Sequence, residues 1–358
     1  MKIIVFSPTS TVLSLTAEQP IGGADSMLLK MIEVLAEPNE MIFNENHEVE
    51  AYLPIAKYAR YKNADCYPFM ELFDEPRECD IIIHNRKVFP IPNTIKYKHA
   101  VFYSQDTNDT PCFNGLKGNR KALDMYSKIW VLSEFHKKDL LKMFDIPEEK
   151  FFILGNAAAP QDQVEKTPLS FIYSSTPFRG LDVLLKAWTK IIVKYPTATL
   201  HIFSSMKIYG AEQLDDLHFG KMFNDMKTGR FKNLIFHGSV PQEEMLEQMK
   251  KSFMLLYPNT YPETYCNVVM EARACRTPFI TTDLGALKET GSPAGCFIEG
   301  NARSPEYLQK FLDTLDFVIA DNKFYEMLQK NCYPIRTFED YAKDLLNEIN
   351  KINRINTP

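Results

Sequence analysis

Apolar residues in this chain gather into short, almost continuous runs, separated by stretches in which they recur every three or four positions. In the first half the runs fall at 3–6, 80–83, 100–103, 129–132 and 151–154. Runs this short and this uniformly apolar predict strands buried on both faces of a sheet. Between them, helical spacing predicts helices at about 25–36, 116–126 and 134–144, the first with Leu28, Leu29, Ile32, Leu35 and Ala36 on one face. Residues 37–79 show no readable period. The second half repeats the scheme, with strands at 171–173, 199–203, 234–237, 253–256, 279–281 and 296–298. Helices are expected between them at 181–194, 213–228, 242–250 and 268–275, and a last one at about 338–352. Buried strands alternating with helices imply parallel crossover units, hence two doubly wound α/β domains. Residues 156–168 are small, polar and proline-bounded, as expected of a linker.

Composition adds few constraints. A chain of 358 residues suits two cores better than one. A formal net charge of −5 weighs against a nucleic-acid partner. No apolar run approaches the ~18 residues of a membrane span, and the first strand is interrupted too early to be a signal peptide. Seven cysteines, an odd number with no C-x2-C, predict reduced thiols in a cytoplasmic protein. The seven histidines lack metal-ligand spacing, so no catalytic metal is expected; no cofactor is expected either.

The chemistry concentrates around two glutamates. The run ending at Tyr257 is followed by Pro258, a polar loop, helix-forming residues, and Pro278 before the next strand. In such a strand–loop–helix–strand unit, ligands bind beyond the carboxyl ends of the strands, where loop meets helix N-terminus. Glu263 falls in the loop and Glu271 in the helix, eight residues on. Eight residues of helix span roughly 12 Å, about the separation of a sugar and a ribose joined through a diphosphate. In an earlier strand–helix loop, Arg179 offers a rigid donor fork suited to phosphate and Gly180 lets the backbone approach closely. Gly22 and Gly23 precede the first helix without forming G-x-G-x-x-G. Asp106 lies just past a strand end, where it suits either an Asx turn or contact with an incoming hydroxyl. His84 to Arg86 are a weaker candidate of the same kind. His136 reads as a surface histidine, and Asp215 and Asp216 as a solvated helix face.

Glu263 and Glu271, with Glu271-Ala272, Ala274-Cys275, the 278–282 strand and the turn at Gly285, resemble the E-x7-E region of the retaining family 4 glycosyltransferases. Arg179-Gly180 resembles that family's Lys-Gly step, with arginine for lysine. Arg276 stands where a glycine is usual, which leaves room for a different turn or for a contact with an anionic ligand. The resemblance implies the GT-B fold: two Rossmann-like doubly wound domains facing a cleft. One would cover 1–160, with a C-terminal helix at about 338–358 packing back on it, and the other 167–337. It implies metal-independent, retaining transfer from a nucleotide-sugar, UDP- or GDP-linked, to a glycan or lipid-linked acceptor, compatible with peripheral membrane contact. By the same resemblance Arg179 neutralises the diphosphate, Glu263 orients the sugar and Glu271 holds the ribose. Backbone groups of Tyr265, Cys266, Asn267 and Val268 meet sugar and phosphate, Gly238 borders the base, Gly22 and Gly23 lie near the diphosphate, and Asp106 serves the acceptor. A phosphorylase of the same fold and a noncatalytic binding or assembly subunit are the rival readings.

Overall fold

The structure is a computed structural model and describes residues 1–10, 15, 22–37 and 47–354. The chain forms two compact units: Met1–Asn156 with Phe338–Pro358, and Ala157–Thr337.

The first unit runs β1 (Lys2–Phe6), α1 (Gly23–Ala36), β2 (Glu48–Leu53), β3 (Ala59–Tyr61), β4 (Ala64–Pro68), β5 (Arg77–Asn85), β6 (Ile95–Tyr103), β7 (Lys128–Val131), α2 (Glu134–Met143) and β8 (Phe151–Ile153). Among the described residues these strands form an eight-stranded sheet in the order β3-β4-β2-β1-β5-β6-β7-β8. All its pairings are parallel except the short β3–β4 hairpin, which fills the stretch whose period was unreadable. Ile3, Ile4, Val5, Ile81, Ile82 and Ile83 are wholly buried, as continuous apolar strands of a covered parallel sheet should be.

The expected helix at 116–126 does not form. Pro111–Leu116 is a 3-10 helix, and the chain then advances by turns that each close over three residues, such as Ala122 N to Asn119 O at 3.2 Å and Tyr126 N to Leu123 O at 3.1 Å. Gly118, at φ +85°, interrupts the helical path. Gly22 precedes α1 as expected and Gly23 opens it, while 20 and 21 lie outside the described residues.

The second unit runs β9 (Thr167–Ser174), α3 (Leu181–Lys194), β10 (Thr199–Phe203), α4 (Gln213–Lys227), β11 (Leu234–Gly238), α5 (Gln242–Lys251), β12 (Ser252–Tyr257), α6 (Asn267–Ala274), β13 (Phe279–Thr282), α7 (Leu287–Gly291), β14 (Gly295–Ile298), α8 (Pro305–Ala320) and α9 (Asn322–Asn331). Its six strands are all parallel, in the order β11-β10-β9-β12-β13-β14. The order turns back between β9 and β12, and the loops leaving those two strands carry Arg179 and Glu263. Helix α3 buries Leu181, Leu184, Leu185, Trp188 and Ile191 on one side, the spacing that made it readable.

Helices α8 and α9 were not anticipated. Ser304 and Asp321 cap them, each accepting a bond from a backbone N–H three residues on (Tyr307 N at 3.1 Å, Phe324 N at 3.0 Å). The last helix, α10 (Phe338–Asn353), returns to the first unit, where it contacts α1. It buries Tyr341, Leu345, Leu346, Ile349 and Ile352. Among the described residues, no helix is long and apolar enough to cross a membrane.

Candidate functional site

The second unit gathers its polar residues at the carboxyl edge of the sheet. After β9, Pro177–Arg179 make one 3-10 turn and Gly180 caps α3 at φ +101°. A Cβ on Gly180 would fall 2.1 Å from the Pro258 carbonyl oxygen. Only glycine lets the two loops touch, and that contact brings the Arg179 turn against the loop carrying Glu263. The latter is held from its other side by Gly285, at φ +65°, where a Cβ would lie 2.5 Å from the Glu263 carbonyl oxygen. That oxygen accepts a bond from Ala286 N at 2.7 Å. Glu263 is thus fixed through its backbone before its side chain meets anything.

Glu263 is 4% exposed. Its Oε1 accepts from Arg179 Nη1 at 2.6 Å and from the Tyr257 hydroxyl at 2.8 Å. The Arg179 guanidinium lies over the rings of Tyr261 (4.7 Å) and Phe178 (5.6 Å), and its Nη2 is 3.4 Å from the Tyr209 hydroxyl. Burial is the largest single influence and opposes the Arg179 charge, but Glu263 together with Tyr209, Tyr257 and Cys266 lifts the pKa well above the usual value.

Helix α6 starts at Asn267 behind Cys266, with no side chain capping it, so its first N–H groups are an electropositive end of the kind that meets anions. Glu271 follows one turn in. It is half-buried, and its Oε1 accepts from Gln242 Nε2, at the start of α5, at 2.5 Å. Burial pushes its carboxyl up to about 7, while the Gln242 bond pulls the other way. Tyr265 and Cys266 turn their side chains inward. Tyr265 packs on a small cluster of Ala158, Met270, Ala274 and Ile335, and Cys266 lies in the main core. Val268 is half-buried against the same core. Only their backbones are suited to a ligand. Gly238 ends β11 at φ +71° with open space beside it.

Arg276 is not turned toward an anion site. It follows α6 at φ +51°, the left-handed geometry that ends a helix and that glycine enters most easily. Its guanidinium sits 4.3 Å from the Tyr333 ring centre. The substitution keeps the turn and adds a stacking contact.

Asp106, Gly22 and Gly23 belong to the first unit. Gly22 caps α1 in an extended conformation, its carbonyl accepting from Asp25 N and Ser26 N at 3.0 and 2.9 Å. Asp106 is gripped by Arg86, Nε to Oδ2 at 2.8 Å and Nη2 to Oδ1 at 2.9 Å. Burial would lower the Arg86 pKa, but Asp106 outweighs it and the group is held above its ordinary value. His136, expected at the surface, is fully buried. Its Nδ1 accepts from Leu132 N at 3.3 Å, which leaves Nε2 to donate to Asp106 O at 3.0 Å. Burial pushes it down to about 4, so it is neutral at pH 7 and braces the Asp106 loop. His84, also lowered to about 4 by burial, meets the Tyr126 hydroxyl at 2.7 Å. Asp215 likewise departs from its expected solvated role, taking Met206 N on Oδ1 at 2.7 Å and Ser205 Oγ on Oδ2, and so fixing the loop after β10.

Sequence reasoning passed over Tyr257, Tyr209, Tyr261 and Gln242. Tyr257 closes an apolar strand and reads as core, and the others stand in loops or at a helix start without a spacing signal. The bulk of an aromatic beside a loop arginine was the one available hint.

Residues 169–316 match the family described as Glycosyl transferases group 1. No curated protein sequence matches the chain. Solved structures resemble it over nearly its whole length. Sucrose-phosphate synthase from Thermosynechococcus elongatus has a TM-score of 0.69 at 14% identity, covering 98% of this chain and 99% of its own. HepE from Anabaena, solved in complex with UDP-glucose, has 0.68 at 12% identity, covering 98% and 100%. WaaG, a glycosyltransferase involved in lipopolysaccharide biosynthesis, has 0.65 at 14% identity, covering 99% and 100%. The fold is that of the GT-B glycosyltransferases. Within it, most of the second unit carries the glycosyl transferases group 1 sequence pattern.

Proposed function

We propose that this protein is a retaining glycosyltransferase that moves a sugar from a nucleoside-diphosphate donor to an acceptor hydroxyl. The observation that carries this reading is the set Arg179, Glu263, Glu271 and the uncapped start of α6 at one edge of the second sheet. The group 1 sequence match over the same residues supports it.

Breaking the bond between sugar and diphosphate leaves charge on the phosphate oxygens, and stabilising that charge is the main demand on the protein. Arg179 and the N–H groups at the start of α6 would meet it without a metal. Glu263 would accept hydrogen bonds from the sugar hydroxyls and Glu271 from the ribose. Backbone groups of Tyr265, Cys266, Asn267 and Val268 would line the sugar–phosphate path, and Gly238 the base. Gly180 would let the diphosphate approach. Asp106, held by Arg86, would shape the acceptor side through its loop, and the acceptor's proton would pass to a leaving phosphate oxygen. The donor is UDP- or GDP-linked; HepE, solved with UDP-glucose, favours UDP. The acceptor is a glycan or a lipid-linked glycan, and the reaction belongs in the cytoplasm.

Thermal shift with UDP, GDP, ADP and dTDP tests the donor site. Ligand at ~100 times its dissociation constant stabilises the folded state by about 2.7 kcal/mol. One nucleotide should raise the melting temperature selectively, and Glu271→Ala should abolish that rise. No shift with any of the four would remove the donor-site reading and favour a noncatalytic protein or a phosphorylase.

A further inference from the structure

We infer that Tyr257 is a positioning residue for sugar transfer: it keeps the Glu263 carboxylate oriented once the donor diphosphate has drawn Arg179 away. The inference rests on the donor reading above and deepens it.

Tyr257 is the last residue of β12 and is fully buried, its ring 5.8 Å from that of Tyr173. Its hydroxyl is 2.8 Å from Glu263 Oε1 and 3.4 Å from Ser175 Oγ. Burial, reinforced by the neighbouring carboxylate, holds the phenol well above its ordinary pKa, so it stays a neutral donor at any working pH. Arg179 and Tyr257 share one carboxylate oxygen, and Oε2 is engaged by neither. That is the oxygen placed to receive a sugar hydroxyl.

The two donors are unequal in how firmly they belong to Glu263. Arg179 uses one nitrogen on the carboxylate, has a distant contact at Nη2, and among the described residues has no partner for its buried Nε. A guanidinium with spare donors, lying over the Tyr261 ring, has every reason to turn its fork to a diphosphate, which carries more charge than a single carboxylate. The Tyr257 hydroxyl has a second neighbour only in Ser175 Oγ, at a longer 3.4 Å. Tyr257 sits at a rigid strand end, and the Glu263 backbone is clamped by Ala286 N at 2.7 Å. Once Arg179 has turned, the Tyr257 hydroxyl is what fixes the rotation of the carboxylate during the reaction.

The test is Tyr257→Phe, assayed for UDP release from UDP-glucose and for UDP binding, beside Tyr325→Phe. Tyr325 is also a buried tyrosine, and its hydroxyl bonds Phe253 O at 2.9 Å near the opposite end of β12, so it reports the cost of losing a buried hydroxyl from this strand. A lost hydrogen bond to a charged group is large enough to lower kcat for Tyr257→Phe by ~10-fold or more. KM for UDP-glucose and Kd for UDP should stay within ~2-fold, the split expected when an interaction matters only in the transition state. Tyr325→Phe should keep wild-type kcat. Equal losses of kcat in both variants, or a rise in KM with kcat unchanged, would overturn the positioning role. Wild-type turnover by Tyr257→Phe would do the same and leave the donor reading standing. A wild-type protein that neither binds any of the four nucleoside diphosphates nor releases UDP would overturn the donor reading, and the role of Tyr257 with it.

Discussion

Each unit places an arginine–carboxylate pair in the loops beyond the carboxyl edge of its sheet, and the two pairs are built to different ends. In the first unit Arg86 meets both oxygens of Asp106, and the Asp106 carbonyl is held as well by His136. In the second, Arg179 meets one oxygen of Glu263, and Tyr257 meets the same one. A fork closed on a fork leaves the carboxylate little need of another partner. A carboxylate gripped at one oxygen presents the other. The first arrangement sets a loop; the second sets a loop and keeps acceptor capacity for a ligand.

The contrast is sharpest in how each pair should fail. Removing one member of this half-buried ion pair leaves the other short of partners, at about 1–3 kcal/mol. Asp106→Ala should therefore lower the urea midpoint by that equivalent and leave the UDP shift intact. A variant as stable as wild type would mean that Arg86 reaches water easily, and that the first pair is as open to ligands as the second.

Glu263→Gln should do the reverse. An amide still accepts from Arg179 and Tyr257, so folding should suffer less than in Asp106→Ala. Transfer should fall by ~100-fold, the scale on which removing one preorganised electrostatic contact acts. A large drop in stability with transfer preserved would exchange the roles assigned to the two pairs.

The smallest effect concerns Glu271, outside both pairs and bound only by Gln242 among the hydrogen bonds described. Burial sets its carboxyl near 7 in the folded protein, against an ordinary value of 4.5. The folded state thus binds this proton more tightly, and the stability it brings is lost as pH rises through 7. Nucleotide binding runs the opposite way, because the ribose needs the carboxylate. UDP affinity should weaken by up to ~10-fold between pH 8 and pH 6, and Glu271→Gln should bind weakly with no such slope. A pH-independent wild type would place the ribose elsewhere.

Much of this was legible in the residues. The strands read as apolar runs because a parallel sheet is covered on both faces, and α3 read correctly because Leu181, Leu184, Trp188 and Ile191 keep helical spacing. The segment 116–126 carries similar spacing, but Gly118 and successive three-residue turns defeat it. Helices α8 and α9 carry the period as well, with Tyr307, Phe311, Leu315 and Val318 on one face, yet were passed over beyond the motif region. Among the site residues, Glu263, Glu271 and Arg179 stood out through residue type and spacing. Tyr257 did not, because a tyrosine at the end of an apolar strand looks like core until the fold brings a carboxylate to its hydroxyl. His136 shows the same limit: its polarity suggested the surface, and Ser104 and Asp106, distant in sequence, join nearby Leu132 N to make burial tolerable.

The return of α10 to the first unit carries a consequence for how the protein is made. A ribosome delivers β1 to β8 first, yet α1 then lacks the helix that packs on it. Tyr341, Leu345, Ile349 and Ile352 arrive only after residues 157–337 have been synthesised. The second unit, continuous in sequence, can close while still near the exit tunnel, whereas the first must wait for the last sixteen-residue helix. The unit translated first is therefore the last to be completed, and a premature stop near residue 337 would release a finished second unit joined to a first unit with α1 uncovered.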